Sequence, residues 1–146
     1  MKDITNFEHI SDEYKKTLLM LKEKEITFKG ASKAFSTFLV MWFLSKKDMH
    51  GYLLMKKIDE FFTPQIELGL MKSTKANKIY PLLKNMQEKG LIESYEGIHK
   101  KKEVKIYRLT EDGKTIYNLT KKEFSYNKKR KIWIELFNDL NLQPKE

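Results

Sequence analysis

Residues 73–108, STKANKIYPLLKNMQEKGLIESYEGIHKKKEVKIYR, constrain the fold more tightly than any other stretch of the chain. They open as a Lys-rich helical pattern carrying Ile79, Leu82, Leu83 and Met86, and the pattern stops at Gly90, a residue suited to ending a helix. Two β-like runs follow, residues 91–95 and 104–109, separated by a tip with Gly97 and the basic cluster His99, Lys100, Lys101 and Lys102. A basic helix running directly into a basic-tipped hairpin is the layout of a winged helix-turn-helix. In that arrangement the helix enters a DNA groove and the hairpin touches the flanking backbone.

The rest of the composition is consistent with one such unit. A chain of 146 residues with 40% hydrophobic content can bury one core. It has no apolar run of about eighteen residues, so no membrane-spanning helix is expected. The polar start, MKDITNFEHISDEY, lacks a signal-peptide stretch. Zero Cys excludes a disulfide framework and a Cys-based zinc site. A cytoplasmic protein without metal or cofactor is the expectation.

Net charge is informative through its location. Residues 72–131 hold 17 Lys and Arg against 7 Asp and Glu, a local +10 in a chain of net +9. A solvated Lys-rich surface predicts no such confinement, whereas a polyanion-binding face does. Only Arg108 and Arg130 are Arg, which leaves few groups able to fork onto guanine.

Along the chain, residues 6–25 read as an amphipathic helix with Ile10, Tyr14, Leu18 and Leu21 in register, Thr5 and Glu8 forming a capping box, and residues 27–30 a connector. Residues 31–44 are the most apolar and read as a buried core helix. Asp48 is a candidate N-cap for a helix over residues 51–62 that turns Leu53, Leu54, Ile58, Phe61 and Phe62 inward. Thr63-Pro64 ends that helix, residues 65–72 read as a loop, and Ser73 or Thr74 caps the next helix. Pro81 predicts a kink or an irregular first turn. Residues 110–140 read as one long helix with Thr110 as N-cap, polar in its middle and apolar at its far end. The fold class is therefore mainly α with a small β-hairpin wing. Residues 1–30 form an N-terminal helical extension, 31–110 the winged-helix unit, and 111–146 a C-terminal dimerisation helix.

The ordered set His50-Gly51-Tyr52, Ile79-Tyr80-Pro81-Leu82-Leu83, Gly90-Leu91-Ile92-Glu93 and Tyr107-Arg108-Leu109-Thr110-Glu111-Asp112-Gly113 resembles the PadR family of transcriptional regulators over about residues 35–117. The resemblance implies a winged-helix repressor that dimerises through its C-terminal helix, some members responding to phenolic acids or planar drugs. The chain departs from the family pattern in its Lys75–Lys78 stretch, its Lys-rich wing and its long N-terminal extension.

The candidate DNA-binding residues are Lys72, Ser73, Lys75, Asn77, Lys78, Tyr80 and Lys84 on or near the reading helix, with His99, Lys100, Lys101 and Lys102 at the wing tip. Lysines and helix N-termini satisfy phosphates, and Asn can bond adenine at two atoms. The bland alternative is an exposed amphipathic helix, which leaves the adjoining basic wing unexplained. Leu18, Leu21, Ile132, Trp133, Leu136, Phe137 and Leu140 are the candidate dimer seam, since the compact unit leaves them nothing to cover. Trp133 is also the candidate for stacking on a small planar or phenolic effector. No nucleophile elbow, phosphate-binding Gly loop or HExxH is present, and the three His are far apart in sequence, so no enzyme is expected. The expected partners are double-stranded DNA and a second copy of the chain. Other uses of such a fold are a protein–protein assembly module or a plasmid or phage replication protein.

Overall fold

The computed structural model describes residues 11–26 and 32–142. The capping box at Thr5 and Glu8, Ile10 and the connector over 27–30 lie outside these residues. Helix α1 (Asp12–Glu23) is capped by the Ser11 side chain, which accepts from the Tyr14 N–H. Helix α2 (Lys33–Lys46) is capped in the same way by Ser32. The short strand β1 (Met49–His50) leads into α3 (Gly51–Phe61), α4 (Thr63–Glu67) and α5 (Ala76–Glu88). Strands β2 (Ile92–His99) and β3 (Lys102–Leu109) form the wing, followed by α6 (Glu111–Asn127) and α7 (Lys131–Asp139).

The core lies where α2, α3 and α5 meet the sheet. Leu39, Val40, Leu54, Ile79, Leu83 and Met86 are its most completely buried large side chains. In α5, Ile79, Leu83 and Met86 recur at one face of the 3.6-residue period, so this helix is fixed by packing along one side and free along the other. Tyr117 on α6 and Phe38 on α2 pack ring on ring at 5.8 Å, which docks α6 on the same unit. The sheet is antiparallel in the order β1-β3-β2, the three-stranded base of a winged helix.

Several boundaries differ from the sequence expectation, each for a local reason. The N-cap of α3 is His50, whose Nδ1 accepts from the Leu53 N–H at 3.0 Å. Asp48 instead accepts from the Tyr95 hydroxyl at 2.7 Å. Phe61 is exposed and meets Phe35 edge-on at 5.7 Å, while Leu54 and Ile58 hold the inward face. Part of the expected loop is the short α4, which accommodates Pro64 in its first turn, where a missing N–H costs nothing. Neither Ser73 nor Thr74 caps α5: Lys75 takes the N-cap position, and the Thr74 N–H is held by Asp59 Oδ1 at 2.7 Å. Pro81 lies inside α5, whose first turn carries an i to i−3 bond from the Lys78 N–H to the Lys75 carbonyl.

The expected single C-terminal helix is two. The chain turns at residues 128–130, where the Arg130 N–H reaches back to the Asn127 carbonyl and Arg130 itself is extended. The polar run there supplies no apolar contact to carry a helix across the turn.

Candidate nucleic-acid interface

The approach to α5 is set at both its ends. At its C-terminus the Gly90 N–H bonds the Gln87 carbonyl and the Leu91 N–H bonds the Met86 carbonyl, with Gly90 at φ 74°. This is a Schellman ending, which turns the chain directly into β2 and fixes the angle between helix and wing. At its N-terminus Lys75 is extended and no side chain caps the first turn. No acidic residue stands in that turn either, so the positive end of the helix meets no opposite charge from its own first turn.

Lys72, Ser73, Lys75, Asn77, Lys78 and Lys84 are all exposed, and Lys75, Asn77 and Lys78 lie together at this helix start. Tyr80 is half-exposed, and its ring lies on the start of α3. A Cβ built on Gly51 would stand 2.6 Å from Tyr80 Cε1, so glycine is needed at 51 to seat the ring. Tyr80 thus locks α5 to α3 with its ring while its other edge faces solvent.

The wing is longer than its sequence suggests. The two strands pair from Ile92 with Leu109 to His99 with Lys102, so Gly97 lies within β2 opposite Val104 and not in the tip. Any side chain on Gly97 would run into Ile106. The turn itself is Lys100 and Lys101, with φ of 51° and 66°. Two left-handed residues in a two-residue hairpin loop make a type I′ turn, whose twist matches the strands but which β-branched residues resist. His99, Lys100, Lys101 and Lys102 are exposed around this turn.

The fold also brings together residues that are distant in sequence. The rings of His50 and His99 meet edge to face with centroids 4.3 Å apart, coupling the α3 N-cap to the wing tip. Burial, then the nearby His99 and finally Lys100 hold the His50 imidazole below its ordinary range, against an opposing backbone hydrogen bond. Arg108 is paired within the chain: its Nε donates to Glu93 Oε2 at 2.9 Å, and its guanidinium sits over the Tyr95 ring at 5.0 Å. Both ends of that ion pair are about half exposed, so it orders the base of the wing more than it stabilises the fold.

The sequence profile of the transcriptional regulator PadR-like family matches residues 40–119, more than half of the chain. The chain belongs to this PadR-like family. The family is one of transcription regulators, not enzymes. A PadR family transcription regulator from Clostridium difficile superposes with a TM-score of 0.51 at 27% identity, covering 73% of this chain and 97% of that one. Two further structures share the fold at 23% identity. One is assigned as a transcriptional regulator from Thermoplasma acidophilum, with a TM-score of 0.54, covering 77% of this chain and 96% of that one. The other, from Streptococcus mutans, has a TM-score of 0.57 and covers 82% of this chain and 100% of that one. No curated protein matches at a significant level.

The PadR-like motifs have a physical reading here. His50 caps α3, Gly51 seats Tyr80, and Thr110 ties three elements together. The Thr110 side chain donates to the Gly90 carbonyl at 2.6 Å and accepts from the Gly113 N–H at 2.9 Å, while its own N–H bonds the Leu91 carbonyl. A side chain on Gly113 would collide with that Leu91 carbonyl oxygen. The motif residues therefore fix how α5, the wing and α6 sit on one another.

Of the candidate seam residues, Leu18 is buried within the chain and Leu21 partly so. Ile132, Leu136 and Leu140 are more than half exposed. Trp133 and Phe137 are half-buried, edge to face at 5.6 Å. The sequence pattern did not single out Ile134 or Leu142, which are exposed on and just beyond α7, and it gave Leu19 and Met20 of α1 no seam role. No helix among the described residues is long and apolar enough to cross a membrane.

Proposed function

We propose that this PadR-like regulator is a cytoplasmic, homodimeric, sequence-specific DNA-binding repressor. The observation that carries the reading is the uncapped, acid-free first turn of α5, which presents Lys75, Asn77 and Lys78 beside a wing tipped by three consecutive lysines. The first turn of α5 enters the major groove, where Asn77 addresses adenine and Lys78 the base edges or phosphates beside it. Lys72, Ser73 and Lys84 flank it on the backbone, as does the Tyr80 hydroxyl. The wing, through His99 and Lys100 to Lys102, holds the neighbouring phosphates, which gives affinity without sequence information.

Dimerisation runs through the apolar face of α7, with Ile132, Trp133, Leu136, Phe137 and Leu140, and the outer face of α1 beside Leu21. Leu18 supports α1 from within its own chain. A two-fold protein reads a two-fold site, so the operator is pseudo-palindromic, and repression follows from its occupancy. Trp133 is also the candidate for stacking on a planar or phenolic effector. Because Trp133 already packs edge to face with Phe137, we assign it first to the seam.

Selection of bound fragments from random duplex DNA tests the reading. A single enriched motif with two inverted half-sites is the expected result. Recovery of fragments without a common motif would overturn it.

A further inference from the structure

We propose that His50 is a proton-operated latch on the wing: its neutral ring caps α3 and holds the wing tip through His99, and protonation undoes both contacts at once. The Leu53 N–H donates to His50 Nδ1 at 3.0 Å, which fixes the tautomer, because a ring nitrogen that accepts carries no hydrogen. The one proton of the neutral ring is therefore on Nε2. A second proton can go only to Nδ1, and the ring then has two donors and no acceptor. The cap bond is lost, and an imidazolium stands at the positive end of α3.

The surroundings of the ring make that charged state a poor fit. From the wing, His99 meets it edge to face at 4.3 Å, and Lys100 follows in the left-handed turn. Burial first, then His99 and more weakly Lys100 disfavour the charged ring, against a backbone hydrogen bond that favours it. On α3, the Tyr52 ring lies 6.5 Å away with Lys56 Nζ over it. Opposite His50, β3 offers the uncharged Ile106, and α5 reaches this corner through the Tyr80 ring on Gly51. Asp48, two residues earlier, has its carboxylate engaged by the Tyr95 hydroxyl at 2.7 Å.

Because Gly51 seats Tyr80, the latch ties the wing tip to the start of α3 and, through it, to α5. Closed, it sets the wing-tip lysines at a fixed distance from the first turn of α5. Open, the tip loses its tie to the helices. Duplex affinity then falls on acidification, opposite to the usual trend, in which added positive charge tightens binding to phosphates. This consequence, though not the latch itself, rests on the DNA reading given above.

The test is a nuclear magnetic resonance titration of the full chain from about pH 7.5 to about pH 5, a range that passes through and below ordinary imidazole titration. The shift of the Leu53 amide and the loss of the His50–His99 ring contact should share one midpoint. His99→Phe keeps a ring against His50 without a titrating group, and its ring contact should be lost at that same midpoint. His50→Asn keeps a capping acceptor that takes up no proton, and its Leu53 amide should stay in place. A His50 ring that takes up no proton in this range, a ring contact that outlasts its protonation, or a Leu53 amide that moves equally in His50→Asn overturns the latch. In a second arm, the Kd for a mixed-sequence DNA duplex at constant ionic strength should rise at least about threefold over this range in the unmodified chain and not in His50→Asn. Affinity that moves alike in both chains refutes the link to DNA, whereas failure of duplex binding in every sample refutes the DNA reading and leaves the latch standing.

Discussion

Helices α5 and α7 are both amphipathic, yet the chain treats their apolar faces in opposite ways. In α5, Ile79, Leu83 and Met86 are buried almost completely against α2, α3 and the sheet. In α7 no residue is buried, although Ile132, Trp133, Leu136 and Phe137 form an equally regular apolar side. The difference separates two jobs that the hydrophobic pattern alone does not distinguish. The apolar face of α5 anchors it, so that its basic face is held rigidly outward. Among the described residues nothing buries that of α7, which suits the second copy proposed above.

The largest effect should come from emptying the α5 side of this comparison. Leu83→Ala is expected to cost about 2–5 kcal/mol in denaturant unfolding, because the site is fully enclosed and leaves a cavity. Leu136→Ala, on α7, should change the stability of the dilute monomer by less than about 0.5 kcal/mol. Equal losses would mean that α7 packs within the chain.

A sharper version concerns the exposed side of α5 against the wing. Asn77→Ala and Lys78→Ala should each lower the ratio of operator to random-duplex affinity by about 1–3 kcal/mol, measured by fluorescence anisotropy. Neutralising Lys100, Lys101 and Lys102 together should weaken both duplexes alike and reduce the salt slope by about three, roughly one for each phosphate that no longer has a lysine beside it. Altered preference with an unchanged slope would assign base reading to the wing.

The smallest effect expected is the pH response of the α3 cap. Burial above all, with His99 beside it, makes His50 in the folded chain bind a proton less readily than in the unfolded chain. The unfolded chain therefore takes up a proton first as pH falls through about 6.5, so stability declines on acidification in that window. His50→Asn keeps a capping side chain without the titration. Its melting temperature should fall less than that of the unmodified chain between about pH 7.5 and 5.5. Identical slopes would place the titration elsewhere.

Much of the winged helix was legible because its signals are local. The apolar spacing in α5, Gly90 as its stop, and Thr110 as the α6 cap each depend on residues within one or two turns. What the sequence did not disclose depends on pairing across the fold. Gly97 and His99 read as a basic tip, and only the β2–β3 register places both in a strand. Asp48 had the composition of a cap, but Tyr95 claims it from 47 residues away. The contact of His50 with His99 and the seat of Tyr80 on Gly51 are likewise long-range. The break before α7 was hidden because Lys, Asn and Arg are compatible with an exposed helix. Only the backbone shows it, in the bond from the Arg130 N–H to the Asn127 carbonyl and the extended Arg130. Family motifs compensated for part of this, since HGY and YP mark two sides of one contact without saying that they touch.

We propose that α7 presents its apolar face to a second copy, while α5 buries its own inside the chain. Sedimentation of the full chain and of the double variant Trp133→Ala, Phe137→Ala tests it most directly. The unmodified chain should sediment as a dimer at low micromolar concentration, and the double variant as a folded monomer that binds DNA weakly. A double variant that remains dimeric at that concentration would contradict the claim.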